Sequence, residues 1–163
     1  MSTLTAAWPM APELPANGPE YWINSPPLTL AQHRGRPVLI EFWTFDCRGC
    51  RRSVSWMNSL HRRHGSDMAI ISVHTPESLH ERGRAQVLRR VEAFDIRFPV
   101  MLDNDMRYWN TMGNRYWPAF YLVNPQGRIQ GAWAGEVLEG SARAVEIEAA
   151  ISGMLTQGGP PGQ

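Results

Sequence analysis

An almost continuous apolar run, Val38–Trp43, is interrupted only by Glu41 and leads into two cysteines. A run without alternation is typical of a central strand that is covered on both faces. From Cys50 onward, apolar positions recur every three to four residues, which predicts a helix over residues 48–63. Cys47 is therefore expected at the point where a buried strand meets a helix N-terminus.

The same patterns divide the rest of the chain into short strands and helices. Strands are predicted at residues 21–25, 68–74, 99–102, 119–123 and 128–133. One helix is predicted to begin at Thr75, which is followed by proline, and to continue to residue 94. Two more are predicted, one capped by Asp103 or Asp105 and ending at residue 112, the other over residues 141–155. This order predicts an α/β sandwich with a mixed central β-sheet.

The length and the ends of the chain indicate one domain. A chain of 163 residues is long enough to bury a full core and too short for two typical domains. Residues 1–19 contain four prolines and no hydrophobic period, so we expect an irregular N-terminal arm there. Residues 20–156 carry the predicted strands and helices. Residues 157–163 consist mostly of glycine and proline and are expected to be disordered.

The charge and hydropathy of the chain limit the classes of binding partner and the cellular locations that we expect. A net charge of +1 argues against a nucleic-acid or anionic-membrane binder, which would carry a basic stripe. No stretch approaches the roughly 20 apolar residues of a membrane span, and no signal-peptide pattern opens the chain. The sequence as it stands predicts a cytoplasmic protein, and we expect a monomer. A periplasmic or other extracytoplasmic location is the alternative if a leader has been removed.

The predicted position of Cys47 favours thiol chemistry. Free backbone N–H groups and the helix dipole favour an anion there, and a thiolate is such an anion. Cys50, one helical turn further on, is placed to attack a mixed disulfide formed by Cys47. Two inert thiols or a structural bridge are the alternatives. A zinc site would need about four ligands, and the sequence has no second cysteine pair and no zinc-type histidine spacing.

Four motifs together resemble the thioredoxin superfamily. Residues 43–50, W-T-F-D-C-R-G-C, resemble its active-site segment W-x-x-x-C-x-x-C. The stretches S-V-H-T-P-E, F-P-V-M-L-D-N-D and G-N-R-Y-W-P-A-F-Y-L-V-N resemble the TlpA-like branch, including the thioredoxin-like domain of DipZ-type proteins. The resemblance covers about residues 20–155. It implies a three-layer thioredoxin-like domain over residues 20–156, with a TlpA-type βα insertion around residues 72–102.

The same resemblance implies an activity and several site residues. It implies a thiol–disulfide oxidoreductase that needs no cofactor and acts on protein thiols or disulfides with an unidentified redox partner. Glu41 lies six positions before Cys47, where thioredoxins carry a buried acid, so its pKa should be raised and it should exchange the proton of Cys50. Pro118 lies where that fold has a cis proline beside the two sulfurs. The catalytic residues predicted are therefore Cys47, Cys50, Glu41 and Pro118.

Three residues beside the motifs are predicted to bind substrate. Trp117 precedes Pro118, so its backbone and ring should face an extended substrate segment. Arg48 lies between the sulfurs and should favour the Cys47 thiolate by its charge. Trp43 immediately precedes the cysteine loop. Arg48-Gly49 replaces the Gly-Pro of reducing thioredoxins, so the sequence leaves the direction of electron flow open.

Two other functions are compatible with parts of the sequence. Thr44 and Cys47 satisfy the T-x-x-C half of the peroxiredoxin pattern P-x-x-x-T-x-x-C, which would make Cys47 a peroxidatic cysteine, but Ile40 occupies the proline position. A copper carrier of thioredoxin fold would use both sulfurs and a histidine. His74 ends a predicted strand without visible ligand partners, and we interpret it as structural.

Overall fold

The apolar run after Pro37 forms a central strand of a six-stranded sheet in the computed structural model, which describes residues 8–157. The strands are β1 (Trp22–Ile23), β2 (Val38–Trp43), β3 (Ala69–His74), β4 (Val100–Leu102), β5 (Ala119–Val123) and β6 (Ile129–Ala134). The helices are α1 (Arg48–His64), α2 (Arg84–Ala93), α3 (Arg107–Thr111) and α4 (Ala142–Gln157). Short 3-10 turns lie at Pro19–Tyr21, Ala31–His33 and Leu79–Glu81.

The sheet is mixed, with the strand order β1-β4-β3-β2-β5-β6. β2 pairs in parallel with β3 and antiparallel with β5, while β3 and β4 are parallel. The two edges are antiparallel pairs, β1 with β4 and the hairpin of β5 with β6. Every residue of β2 is buried, as the unbroken apolar run predicted. The predicted α/β class with a mixed sheet is confirmed.

Core side chains lie on both faces of the sheet. On one face, Trp56 of α1, Val91 of α2 and Ile147 of α4 pack in a cluster with Cys50. On the other face, the residues of α3 and of the N-terminal segment pack against alternate residues of the inner strands; they include Leu14, Leu30, Tyr108 and Trp109. The sheet is therefore the middle layer of three, as predicted.

The described part of the N-terminal arm is irregular but closely packed. Residues 8–18 form no strand or helix beyond an isolated bridge between Met10 and Arg128. Ala11 and Leu14 are buried, and the Tyr108 hydroxyl donates to the carbonyl of Pro12 at 2.8 Å. The proposed domain boundary at residue 20 stays a prediction. Residues 1–7 and the tail predicted to be disordered, beyond residue 157, lie outside the described residues.

The helix predicted to begin at Thr75 is wrong in its start. The Thr75 hydroxyl donates to the Asp103 carboxylate at 2.7 Å, so it does not cap a helix. The chain continues through the turn Leu79–Glu81, and α2 begins only at Arg84. The Thr75 side chain, which local preferences predict as a helix cap, instead forms a buried hydrogen bond to a residue distant in the chain. The same Asp103 carboxylate also accepts from two N–H groups in the first turn of α3, although the N-cap position itself is Met106 and not one of the two predicted aspartates.

Candidate active site

The two cysteines lie at the junction between β2 and α1, and a disulfide bond joins them. Their Cα atoms are 5.2 Å apart, within the range that a disulfide requires. Cys47 occupies the N-cap position of α1, and Cys50 lies one turn into the helix. The strand-to-helix junction predicted from the sequence is therefore present.

The pair is asymmetric in exposure and in hydrogen bonding. Cys50 is 1% exposed and belongs to the core cluster under α1, whereas Cys47 is partly exposed. The backbone N–H of Cys50 donates to the Cys47 sulfur at 3.2 Å. A negative charge on the Cys47 sulfur would be stabilised by this N–H group and by the positive end of the helix dipole. Cys47 thus has the access and the electrostatics of an attacking thiol, and Cys50 has those of a buried resolving thiol.

Glu41 is buried, as its apolar neighbours predicted, with 4% of its surface exposed. Strand alternation places its side chain on the same face of β2 as Leu39 and Trp43, which pack in the core cluster that contains Cys50. The Ser72 hydroxyl donates to the Glu41 carboxylate at 2.9 Å. Burial raises the pKa of Glu41 to about 7, an effect that the hydrogen bond from Ser72 partly offsets. Glu41 can therefore take up or release a proton near neutral pH.

Pro118 lies beside the helix that carries the pair. A Cβ added to Gly49, between the two cysteines, would lie 3.3 Å from the Pro118 ring. The Trp117–Pro118 peptide bond is cis. Both residues line an open groove with the start of α1 and with the segment after β6; its other lining residues are Arg48, Gly49, Arg52, Gly135 and Glu136.

A hydrogen bond and an aromatic ring contact hold the Trp117 side chain in place. Its indole N–H donates to the carbonyl of Thr75 at 2.7 Å, and its ring lies on that of Trp109 with centroids 4.0 Å apart. The side chain is partly buried and reaches the groove beside Pro118. The Trp117 side chain is therefore anchored to the residue after β3 and to α3.

The other two predicted substrate-binding residues differ in access. Arg48 is exposed and lines the groove. Trp43 is only 2% exposed, and its ring packs edge-on against His74 with centroids 4.9 Å apart. The substrate-binding prediction for Trp43 is not supported, because a residue that ends a central strand covered on both faces has no surface left for a substrate.

The loop between β2 and α1 is held by residues that the sequence analysis did not assign to the site. The Thr44 hydroxyl and the Asp46 N–H both donate to one oxygen of the Glu81 carboxylate, the latter at 3.1 Å. The Phe45 N–H donates to His74 Nε2 at 3.2 Å. The last residue of β3 and the turn that follows this strand thus bind three successive residues before Cys47.

The two groups that bind this loop differ in charge, because His74 is neutral and Glu81 is ionised. Burial lowers the pKa of His74 to about 4, so the ring is neutral at physiological pH and accepts a hydrogen bond, in line with the structural interpretation. Burial alone would raise the pKa of Glu81, but hydrogen bonds from Thr44, Asp46 and Ser78 outweigh it and hold this pKa below its usual value. The capping-box pattern Ser78-x-x-Glu81 was a sequence signal for this turn.

A comparison with protein families gives a clear result. The model of the AhpC/TSA family matches residues 11–132, which include the cysteine pair, Glu41 and Pro118. This chain belongs to the AhpC/TSA family. Protein DipZ of Mycobacterium bovis is 35% identical to this AhpC/TSA chain over 130 residues, which are 77% of the chain but only 18% of DipZ. The chain thus spans less than a fifth of the length of that relative.

Further relatives of this AhpC/TSA chain match it over most of their own length. Thiol-disulfide oxidoreductase YkuV of Bacillus subtilis is 27% identical over 76% of this chain and 82% of YkuV. A crystal structure titled as a thiol:disulfide interchange protein DsbE, from Chlorobium tepidum, superposes with a TM-score of 0.76 at 19% identity, covering 91% of this chain and 96% of that one. The thioredoxin-like fold and the TlpA-like resemblance predicted from the motifs are confirmed.

None of the helices within residues 8–157 combines the length and the apolar character that a membrane crossing demands. In the same part of the AhpC/TSA chain, no three His, Cys, Asp or Glu side chains come together as ligands for a metal ion.

Proposed function

We propose that this chain is a thiol–disulfide oxidoreductase that exchanges disulfides with protein substrates through Cys47 and Cys50. The observation that carries the proposal is the asymmetry of the pair. Cys47 is partly exposed and its sulfur accepts a hydrogen bond from the Cys50 N–H at the helix N-terminus, while Cys50 itself is 1% exposed. This is the arrangement that a two-step exchange needs. The name of the relative YkuV, which the chain matches over most of its length, supports the same activity.

The exchange follows two balanced steps. The thiolate of reduced Cys47 attacks a substrate disulfide, forms a mixed disulfide and releases one substrate thiolate. The thiolate of Cys50 then attacks the Cys47 sulfur, which closes the Cys47–Cys50 disulfide and releases the second substrate thiolate. Two electrons pass from the pair to the substrate, and the reverse sequence oxidises a substrate dithiol. In this proposal Glu41 accepts the proton of Cys50 before the second step, since its pKa lies near neutrality.

Protein substrates are proposed to lie in the groove beside Pro118. Arg48 and Trp117 line this groove, and Glu136 lines it beside Arg52, with which it forms an ion pair at 3.1 Å. An extended segment in it would pass over the helix N-terminus that carries Cys47. Backbone groups of Trp117 would pair with this segment by strand addition. The redox partner would use the same groove, and the monomeric state stays a prediction.

Replacing Pro118 with Ala is expected to slow the reduction of protein disulfides about tenfold and that of small aromatic disulfides less than about twofold. The reason is that Pro118 lines the groove together with Gly49 and shapes it, which a protein segment needs and a small disulfide does not. Rates with insulin and with a small disulfide measure the difference. Pro125→Ala, in the turn between β5 and β6, is the matched control. Equal slowing of both substrates would contradict the assignment.

Replacing Arg48 with Ala is expected to lower the reduction potential of the pair by about 10–20 mV and to slow alkylation of Cys47 at neutral pH. Arg48 is exposed, so solvent screens its charge, but it follows Cys47, whose thiolate it would stabilise, directly in the chain. Glutathione equilibration of the variant and of Arg51→Ala, a neighbouring exposed arginine, measures the shift. An unchanged potential in Arg48→Ala would mean that this residue is an ordinary solvated arginine.

The proposed activity is tested by reduction of insulin with dithiothreitol as electron donor. We expect turnover by the purified chain and none by Cys47→Ser. Peroxide consumption and bound copper, measured on the same samples, test the two alternatives. The Thr44 hydroxyl, which belongs to the T-x-x-C pattern of the peroxidase alternative, donates a hydrogen bond to the Glu81 carboxylate. Peroxide turnover faster than insulin turnover, or stoichiometric copper held by both sulfurs, would overturn the proposal.

A further inference from the structure

The turn Leu79–Glu81 places a buried carboxylate against the loop that leads to the cysteine pair. Glu81 is 2% exposed, and one of its oxygens accepts from the Thr44 hydroxyl and from the Asp46 N–H. Its other oxygen accepts from the N–H groups of Glu77 and Ser78 and from the Ser78 hydroxyl, each at 3.1 Å. The carboxylate thus joins its own turn to a loop about 35 residues earlier in the chain.

The partners of Glu81 are unusual for a buried charge. Within residues 8–157 it forms no ion pair, so its charge is balanced by five neutral donors. Removing a carboxylate from water is unfavourable unless hydrogen bonds replace the lost hydration. Hydrogen bonds to a charged acceptor are stronger than neutral ones, and they are also the most damaging to lose. A loop held in this way has little freedom to change its conformation.

The position of that loop decides the environment of the nucleophile. Cys47 follows Asp46 directly, and its sulfur caps α1 by accepting the Cys50 N–H. This cap requires an extended backbone at Cys47, with φ −129° and ψ 119°, and the preceding peptide must be oriented to match. Glu81 binds the Asp46 N–H and so fixes the peptide between Phe45 and Asp46, one residue before the cap.

We propose that Glu81 is a positioning residue for Cys47, which it holds at the N-cap of α1 through Thr44 and the Asp46 N–H. The loop after β3 therefore contributes to the reactivity of the pair without touching substrate. The inference rests on the proposed thiol chemistry of Cys47. It goes further by assigning part of that reactivity to a residue 34 positions away in the chain.

The test is the rate at which iodoacetamide alkylates Cys47 in the reduced protein, measured from pH 5 to pH 10. Positioning predicts that Glu81→Gln slows alkylation at pH 7 about tenfold and moves the pH midpoint upward, because the sulfur loses its cap. Thr44→Val, which removes one donor and keeps the side-chain shape, should slow it in the same direction. Thr44→Ser retains the donor and should alkylate within twofold of the parent. In the double variant the two losses should not add, since both break one link.

The direction of the change separates positioning from simple charge. Glu81 carries a negative charge, so its loss would stabilise the Cys47 thiolate and speed alkylation if charge alone mattered. Glu77→Gln, an exposed neighbour on the same turn, is the control for that effect. Faster alkylation in Glu81→Gln, or equal changes in Glu77→Gln and Glu81→Gln, would overturn the proposal. Rates unchanged in both folded Glu81→Gln and Thr44→Val would do the same.

This readout is independent of the proposed turnover. Alkylation reports on the reduced thiol itself and needs no protein substrate. A chain without insulin turnover, but with the predicted alkylation differences, would contradict the proposed function and leave the role of Glu81 standing. If Glu81→Gln does not fold, as judged by its circular dichroism, Thr44→Val and Thr44→Ser carry the test alone.

Discussion

Replacing Cys50 with Ala is expected to reduce catalytic turnover on the order of 100-fold and to leave Cys47 joined to substrate in stable mixed disulfides. Cys50 is buried one helical turn after Cys47. The chain has only two cysteines, so without Cys50 no cysteine remains to resolve the mixed disulfide. Mixing the reduced variant with insulin, followed by mass spectrometry without reductant, measures the trapped species. The parent should show almost none, because its second step is intramolecular.

Cys47→Ala is the matched control for this trap. It leaves only the buried Cys50 thiol, which should form mixed disulfides slowly, since it lacks access to solvent. In the reduced parent, iodoacetamide at neutral pH should label Cys47 first. If it labelled Cys50 first, or if Cys50→Ala turned over at the parental rate, the assignment of attacking and resolving thiols would be wrong.

Replacing Glu41 with Gln is expected to slow the resolving step about 10- to 100-fold at pH 8 while alkylation of Cys47 stays within twofold. Burial raises the pKa of Glu41 to about 7, so the parent carboxyl becomes a proton acceptor as the pH rises through that value. The resolving rate of the parent should rise over the same range, and that of Glu41→Gln should lose this step. Stopped-flow decay of a preformed mixed disulfide measures it.

Ser72 provides a sharper control for Glu41. Its hydrogen bond lowers the Glu41 pKa, so Ser72→Ala should move the midpoint of the resolving rate to higher pH without abolishing it. Equal resolving rates in the parent and in Glu41→Gln at every pH would contradict the proposed proton transfer.

The free energy of unfolding gives a second readout for Glu41. Because the pKa of Glu41 is raised from its usual value of 4.5 to about 7, protonated Glu41 stabilises the folded state fully below pH 4.5. This contribution is lost as the pH rises through about 7. At pH 8 the free energy of unfolding of Glu41→Gln should therefore exceed that of the parent by on the order of 1 kcal/mol.

The elements carried by a continuous hydrophobic pattern were predictable from the sequence. β2 is buried at all six positions, and its apolar run has no alternation to make it ambiguous. α1 follows from an apolar period that begins at Cys50. The junction between them placed Cys47 at a helix N-terminus, so Cys47 could be predicted as the attacking thiol from the sequence alone. Glu41 could be predicted as buried because both of its neighbours are apolar.

Contacts between distant segments could not be predicted in the same way. Thr75 has the local features of a helix cap, yet its hydroxyl binds Asp103, 28 residues further along the chain. Glu81 fits a capping box, and nothing local shows that its second oxygen binds the loop before Cys47. Trp43 adjoins the motif in sequence, and only the three-layer packing shows that its ring is buried. Each case depends on which residues the sheet brings together, and a hydrophobic period does not contain that information.

The reduction potential of the Cys47–Cys50 couple distinguishes a redox-active pair from a structural disulfide. The purified chain would be equilibrated in glutathione and dithiothreitol buffers of known potential, and its free thiols counted by alkylation and mass spectrometry. We expect a single two-electron transition between about −270 mV and about −120 mV, the range of catalytic dithiols. A bridge that stays oxidised below about −300 mV would be a structural disulfide, and that result would contradict the account.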